Sequence, residues 1–171
     1  MAKKGLWCLV SMMFFLIFSP LGHAQEVGEK AKLNHVKLFD GSEFDPKSVE
    51  GKPTLVYFWA SWCPRCRNEM KVLEKHYQTF KNQGFNIIAI NFRDKEENAR
   101  ALIESVKPIS FPVGRTNDDW QSDYPKIYGT PTWFLVDRNG VIRKVIVGRE
   151  IITGGWGDGL KGELGKVLAE K

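Results

Sequence analysis

The sequence predicts an α/β fold in which a mixed central sheet is flanked by helices. Two apolar runs, TLVYFWA at 54–60 and FNIIAIN at 85–91, are continuous rather than alternating, as in strands buried on both faces. A stretch with helical spacing separates them, so they form a β-α-β unit whose strands are parallel with a right-handed crossover. TWFLVD at 132–137 and VIRKVIVG at 141–148 are joined by the short link RNG and must run antiparallel.

In chain order, a polar start from Gln25 leads to VKLFDGSEFD at 36–45, where Asp40-Gly41 signals a turn between two extended pieces. This predicts an N-terminal β-hairpin extension, an appendage ahead of the main fold. After the first buried strand, Met70, Leu73, Tyr77 and Phe80 recur at spacings of three and four, opposite Arg67, Lys71, Lys75, Gln78 and Lys81. That amphipathic helix ends at Gly84, where a left-handed cap is expected. Beyond the second strand, Asp94 with Glu97 gives a capping-box signal for a helix with Ala99, Leu102, Ile103 and Val106 as its apolar stripe. Pro108 and Pro112 then open an irregular region through GRTNDDWQSDYPKIYG, with room for a short helical turn. After the predicted hairpin of the main sheet, TGGWGDG leads to a last amphipathic helix carrying Leu160, Leu164, Val167 and Leu168.

The 171 residues, 43% hydrophobic and 26% charged, fit one globular domain. Lys3 and Lys4 precede the apolar run Leu6–Phe18, which Ser19-Pro20 and Gly22-His23-Ala24 follow, so residues 1–24 read as a signal peptide cleaved after Ala24. The run of 13 residues is short for a spanning helix, and an uncleaved anchor is the alternative. Either way the folded part, residues 25–171, is expected outside the cytoplasm, in the periplasm or its equivalent. Cys8 lies inside the run behind the bulky Trp7 rather than at a lipoprotein-type site, and it is discarded with the peptide. The remaining chain has 23 basic and 20 acidic residues, a net of +3 that is too mild to argue for nucleic acid or membrane binding. A monomer is expected.

Only Cys63 and Cys66 then remain, and a single pair is a site before it is a scaffold. Structural zinc needs four ligands, and His35 and His76 are the only histidines left; His76 lies almost three helical turns beyond Cys66. No metal and no cofactor other than the cysteine pair is therefore expected. As a staple, so small a loop stabilises by only about 2 kcal/mol, against about 4–5 kcal/mol for a loop of about a hundred residues. Position favours chemistry instead. Cys63 begins a helix, whose unpaired N–H groups and positive dipole end favour a thiolate, which makes Cys63 the nucleophile and Cys66 the resolving thiol. Pro64 suits the first helical turn, and the Arg65 cation would lower the Cys63 pKa further. Stabilising the thiolate raises the reduction potential. Glu69, one turn after Cys66, is placed to take its proton, although a solvated helix glutamate would have the same spacing.

FWASWCPRC together with YGTPTWFLVDRNG resembles the thioredoxin-like superfamily, and more closely the TlpA/ResA-like group of exported thiol-disulfide oxidoreductases, over roughly residues 35–170. The resemblance implies that Pro131 is cis and faces the disulfide, with Thr130 offering backbone to an extended client. It also implies that Trp62 flanks the client groove and that Glu69 moves a proton. Tyr57 stands where thioredoxins proper carry a buried aspartate, which favours the exported branch. YGTPT differs from the sequence of dedicated cytochrome c maturation reductases, so cytochrome c biogenesis is one client class among several.

The sequence thus predicts an enzyme, an extracytoplasmic thiol-disulfide oxidoreductase that reduces client proteins and draws electrons from a membrane thiol donor. Its rivals are a disulfide oxidant of the same fold, a copper(I)-handling module using the two thiolates with His35 or His76, and, more weakly, a peroxidase.

Overall fold

The computed structural model describes residues 25–124, 127–148 and 158–170, and the side chains of all of these except 158–161. The expected signal segment, the 153–157 part of the glycine-rich stretch and the Leu160 side chain lie outside the described residues.

A small antiparallel hairpin, β1 (Val36–Lys37) and β2 (Glu43–Phe44), precedes the main sheet. There follow β3 (Thr54–Trp59), α1 (Pro64–Phe80), β4 (Asn86–Asn91), α2 (Glu96–Val106), β5 (Val113–Arg115), α3 (Asp118–Asp123), β6 (Thr132–Val136), β7 (Ile142–Val147) and α4 (Asp158–Ala169). The five-stranded sheet has the order β5-β4-β3-β6-β7. β3 is central, parallel to β4 and antiparallel to β6, and every one of its residues is buried, which is why its sequence is a continuous apolar run.

Strand alternation divides the core. Leu55, Tyr57 and Trp59 share one face with Cys66, Met70 and Leu73 of α1, with Ala99, Leu102 and Val106 of α2, and with Leu164 and Val167 of α4. Val56 and Phe58 face the other way, into a cluster with Trp120, Tyr124 and Phe134. There the Phe58 ring lies 4.9 Å from Tyr124 and 5.9 Å from Trp120, centroid to centroid.

The structure departs from the sequence-based expectation in three places. The hairpin is no appendage: Val36 and Phe44 are buried in the second cluster, and Leu38 bridges to Gly114 of the edge strand β5. The region expected to be irregular holds the strand β5, while the short helical turn for which it had room is α3, capped by the Asn117 side chain, which accepts the Trp120 N–H. Asp94 does not cap α2, whose N-cap is Lys95 with no side-chain bond. The expected end of α1 holds, because a 3-10 turn at Lys81–Gln83 continues it and Gly84 closes the turn at φ 88°.

Candidate active site

β3 delivers the chain to a three-residue loop, Ala60-Ser61-Trp62, and Cys63 then caps α1 from an extended backbone conformation with Pro64 next in line. The Cys63 Sγ accepts the backbone N–H of Cys66 at 3.2 Å. Cys63 and Cys66 form a disulfide across a Cα–Cα distance of 5.4 Å. Cys63 retains 4% of its surface and Cys66 none, so an incoming sulfur meets Cys63 first.

Polar groups fix the loop before the disulfide. The Asp94 carboxylate accepts the Ser61 hydroxyl and backbone N–H, the Asn91 side-chain amide and the Lys95 N–H. Burial pushes its pKa up, but these four donors outweigh that and hold it below the ordinary value. Beside the loop, Trp62 is 58% exposed, and its indole N–H donates to the Arg93 carbonyl at 3.1 Å. Arg93 itself lies in the left-handed region, φ 49°.

Glu69 is buried, and the Tyr57 hydroxyl donates to its Oε2 at 3.1 Å. Burial raises the Glu69 pKa from 4.5 to about 7, while the Tyr57 hydrogen bond and the Arg65 charge pull it down by less. Tyr57 is pushed well above 10 by burial, by the Glu69 charge and by the same hydrogen bond.

The Thr130–Pro131 peptide is cis. The Pro131 carbonyl accepts the Gly148 N–H at 2.8 Å, and the Gly148 carbonyl accepts a hydrogen bond from the Arg65 guanidinium. Arg65 therefore ties the first turn of α1 to the end of β7 and, through Gly148, to the segment holding Pro131. The Thr130 hydroxyl is buried with no hydrogen-bond partner among the described residues.

Thus Cys63, Cys66, Pro64, Arg65 and Glu69 occupy the first two turns of α1 or its cap, with Trp62 in the preceding loop. His35 lies beside Glu43 and Asp45 of the hairpin, and the His76 ring stacks on Phe80. No group of three or more His, Cys, Asp or Glu among the described residues is arranged to hold a metal ion. A separate cavity of about 670 Å³ lies between the hairpin, α2 and residues 109–113, and none of the cysteine-site residues lines it. Sequence reasoning missed two contacts: Tyr57 as the partner of Glu69, and Asp94 as the brace of the cysteine loop. The buried tyrosine on an otherwise aliphatic and aromatic strand was the one available signal for the first.

Comparison with known proteins places this geometry. Residues 27–145 match the AhpC/TSA family. The chain is 32% identical over 130 residues to the thiol-disulfide oxidoreductase ResA of Bacillus thuringiensis subsp. konkukian, covering 73% of this chain and 72% of that one. It is 26% identical over 159 residues to ResA of Geobacillus thermodenitrificans, covering 86% and 91%. Among solved structures it is similar to a thiol:disulfide interchange protein of the thioredoxin family from Chlorobium tepidum, with TM-score 0.73 and 25% identity over 85% of this chain and 100% of that one. The thioredoxin domain of a thiol-disulfide oxidoreductase from Bacteroides vulgatus matches with TM-score 0.69 and 27% identity, over 84% and 98%. With its Cys63–Cys66 disulfide at the start of α1, the chain belongs to the AhpC/TSA family as a ResA-like, thioredoxin-fold thiol-disulfide oxidoreductase acting on thiol- or disulfide-bearing proteins.

Proposed function

We propose that this oxidoreductase works as a reductase of client disulfides outside the cytoplasm. The Cys63 thiolate attacks a client disulfide; one client sulfur leaves as a thiolate and the other forms a mixed disulfide. Cys66 loses its proton to Glu69 and attacks Cys63, which closes the Cys63–Cys66 bond and releases the client. Two electrons pass to the client, whose second sulfur leaves as a thiolate; a membrane thiol donor then returns two electrons to the pair, and one proton goes back to the Cys66 sulfur. Trp62, Thr130 and Pro131 hold the client strand, Pro64 and Arg65 tune the nucleophile, and no cofactor beyond the disulfide takes part.

The observation that carries the assignment of Cys63 as the attacking sulfur is the Cys66 N–H directed at the Cys63 Sγ, since a backbone donor at a helix start stabilises a thiolate there; taken alone it raises the potential, so the reducing direction rests on Glu69. The buried Glu69 supports the direction: a carboxylate one turn beyond Cys66 disfavours a second thiolate, so the disulfide gains relative to the dithiol and the potential falls. Export of residues 25–171 by the 1–24 segment and a monomeric state belong to the same proposal, with apocytochromes among the clients. No helix among the described residues is long and apolar enough to cross a membrane.

The test is the reduction potential of the pair, with trapping of clients. A potential near about −270 mV is expected, with Cys66→Ser accumulating mixed disulfides and Cys63→Ser forming none. A potential near about −120 mV would reverse the direction and make the protein a disulfide donor. Full exchange activity in Cys63→Ser would remove the assigned nucleophile.

A further inference from the structure

Tyr57 is an unusual residue for the middle of a central strand, because its hydroxyl must be satisfied away from water. Its register neighbours are Ala89 on β4 and Trp133 on β6, and the side chain is wholly buried. Its hydroxyl donates to Glu69, twelve residues away on α1. The bond therefore runs from the sheet to the helix and restrains the Glu69 side chain with a group that belongs to the rigid centre of the fold.

We propose that Tyr57 is the positioning residue for Glu69: its hydroxyl holds the carboxylate in place beside the first turns of α1 and stabilises its ionised form for the proton transfer from Cys66. The proposal rests on the reading of Glu69 as that proton acceptor. In the step concerned, the Cys66 S–H proton passes to a Glu69 carboxylate oxygen and the Cys66 sulfur bonds to the Cys63 sulfur. The bond from Cys63 to the client sulfur breaks, and the client leaves as a thiolate that takes up a proton.

The two side chains suit this division of labour. Burial and the neighbouring carboxylate keep the Tyr57 hydroxyl protonated throughout the neutral range, so it donates and never competes as a base. Burial alone would drive Glu69 toward its neutral acid, which accepts no proton. The tyrosine bond opposes that drive from the sheet side, and the Arg65 charge opposes it from the same helix. The other charged or titratable groups among the described residues at this end of α1 are the cysteine thiols, Arg67, whose guanidinium donates to the Ser105 hydroxyl, and Asp94, which holds Ser61 in the preceding loop. A phenylalanine at position 57 would preserve the ring packing and remove only the donor.

The test measures Glu69 directly and through the reaction. In the full chain with labelled glutamate, the carboxyl carbon resonance of Glu69 is titrated in wild type and Tyr57→Phe, and the pH profile of mixed-disulfide resolution is recorded for both and for Glu69→Gln. Loss of the donor should raise the Glu69 midpoint by about one to two pH units. The resolution rate near pH 7 should then fall about five- to fiftyfold and converge with wild type above about pH 10, while Glu69→Gln removes that limb of the profile. If Tyr57→Phe superimposes on wild type in both measurements while Glu69→Gln abolishes the limb, the positioning role is wrong and the Glu69 reading survives. If Glu69→Gln leaves the profile intact, the Glu69 reading fails and takes this one with it. Should Tyr57→Phe not fold, Glu69→Asp in a chain with labelled aspartate withdraws the carboxylate from the same hydroxyl, and its midpoint must lie further above the ordinary aspartate value than that of Glu69 lies above the ordinary glutamate value; an equal or smaller displacement overturns the proposal.

Discussion

Asp94 grips Ser61 twice, accepting its backbone N–H at 2.5 Å and its hydroxyl at 2.7 Å, and so holds the loop two residues before Cys63 from the segment between β4 and α2. Removing the carboxylate strands the Ser61 N–H and takes one partner from the buried Asn91 amide. We expect Asp94→Ala to lose about 1–3 kcal/mol of stability by denaturant titration at pH 7. The folded pKa is depressed, so this stabilisation is present above the ordinary value of 3.8 and disappears as pH falls through the lowered one. The difference between wild type and Asp94→Ala should therefore shrink in acid. A constant difference from neutral pH down to about pH 2 would assign the effect to packing.

Gly114 lets the hairpin dock. A Cβ there would lie 2.9 Å from Val36 Cγ1 and 3.2 Å from Leu38 Cδ2, so β1 and its following turn would have to move away from β5. Gly114→Ala should cost about 1–3 kcal/mol and increase hydrogen exchange at the Leu38 and Phe39 amides, which bond to Ser42 and to Val113 of β5. Gly162→Ala is the control with the opposite sign: it lies exposed in α4 with open space around it, and should gain about 0.5–1 kcal/mol.

These two sites show what was legible in the sequence. The strand-helix-strand start was readable because β3 and β4 are buried on both faces and α1 on one, and each pattern is local. The two-residue hairpin strands were visible through Asp40-Gly41, but their burial depends on a missing side chain at Gly114, about seventy positions away. β5 is only Val-Gly-Arg, too short to show a period, and exists because its neighbour β4 offers an edge. Asp94 and Glu97 have the spacing of a capping box, yet three other donors converge on Asp94 from Ser61 and Asn91. The cysteine pair was legible because its chemistry needs only a helix start. The Tyr57–Glu69 bond was not, because it depends on where α1 crosses the sheet.

Glu69 should leave a signature in stability as well as in rate. Its folded pKa is raised from 4.5 to about 7, chiefly by burial, so between these values the folded state binds more protons than the unfolded chain. Stability therefore falls as pH rises through this window, and Glu69→Gln, which carries no charge, escapes the loss. Thermal melts should show Glu69→Gln gaining on wild type from about pH 4.5 to about pH 7 and holding a constant lead above. A lead that narrows across the same window would mean that the folded protein favours the charged form of Glu69.

Arg65 brings a charge and a tether to the same turn, and the reduction potential separates them. In the proposed mechanism its charge, two positions after Cys63, favours the thiolate and hence the reduced protein; its guanidinium holds the Gly148 carbonyl and, through it, the Pro131 segment. Arg65 is exposed, so its electrostatic effect is partly screened. Arg65→Gln should lower the potential by about 10–20 mV, and the difference should fade as ionic strength rises. Arg65→Lys keeps the charge and gives up the planar fork, so it should hold the potential near the wild-type value while weakening the tether to Gly148. If Arg65→Gln and Arg65→Lys shift the potential equally at every salt concentration, the charge plays no part and Arg65 serves the site by fixing the segment that contains Pro131.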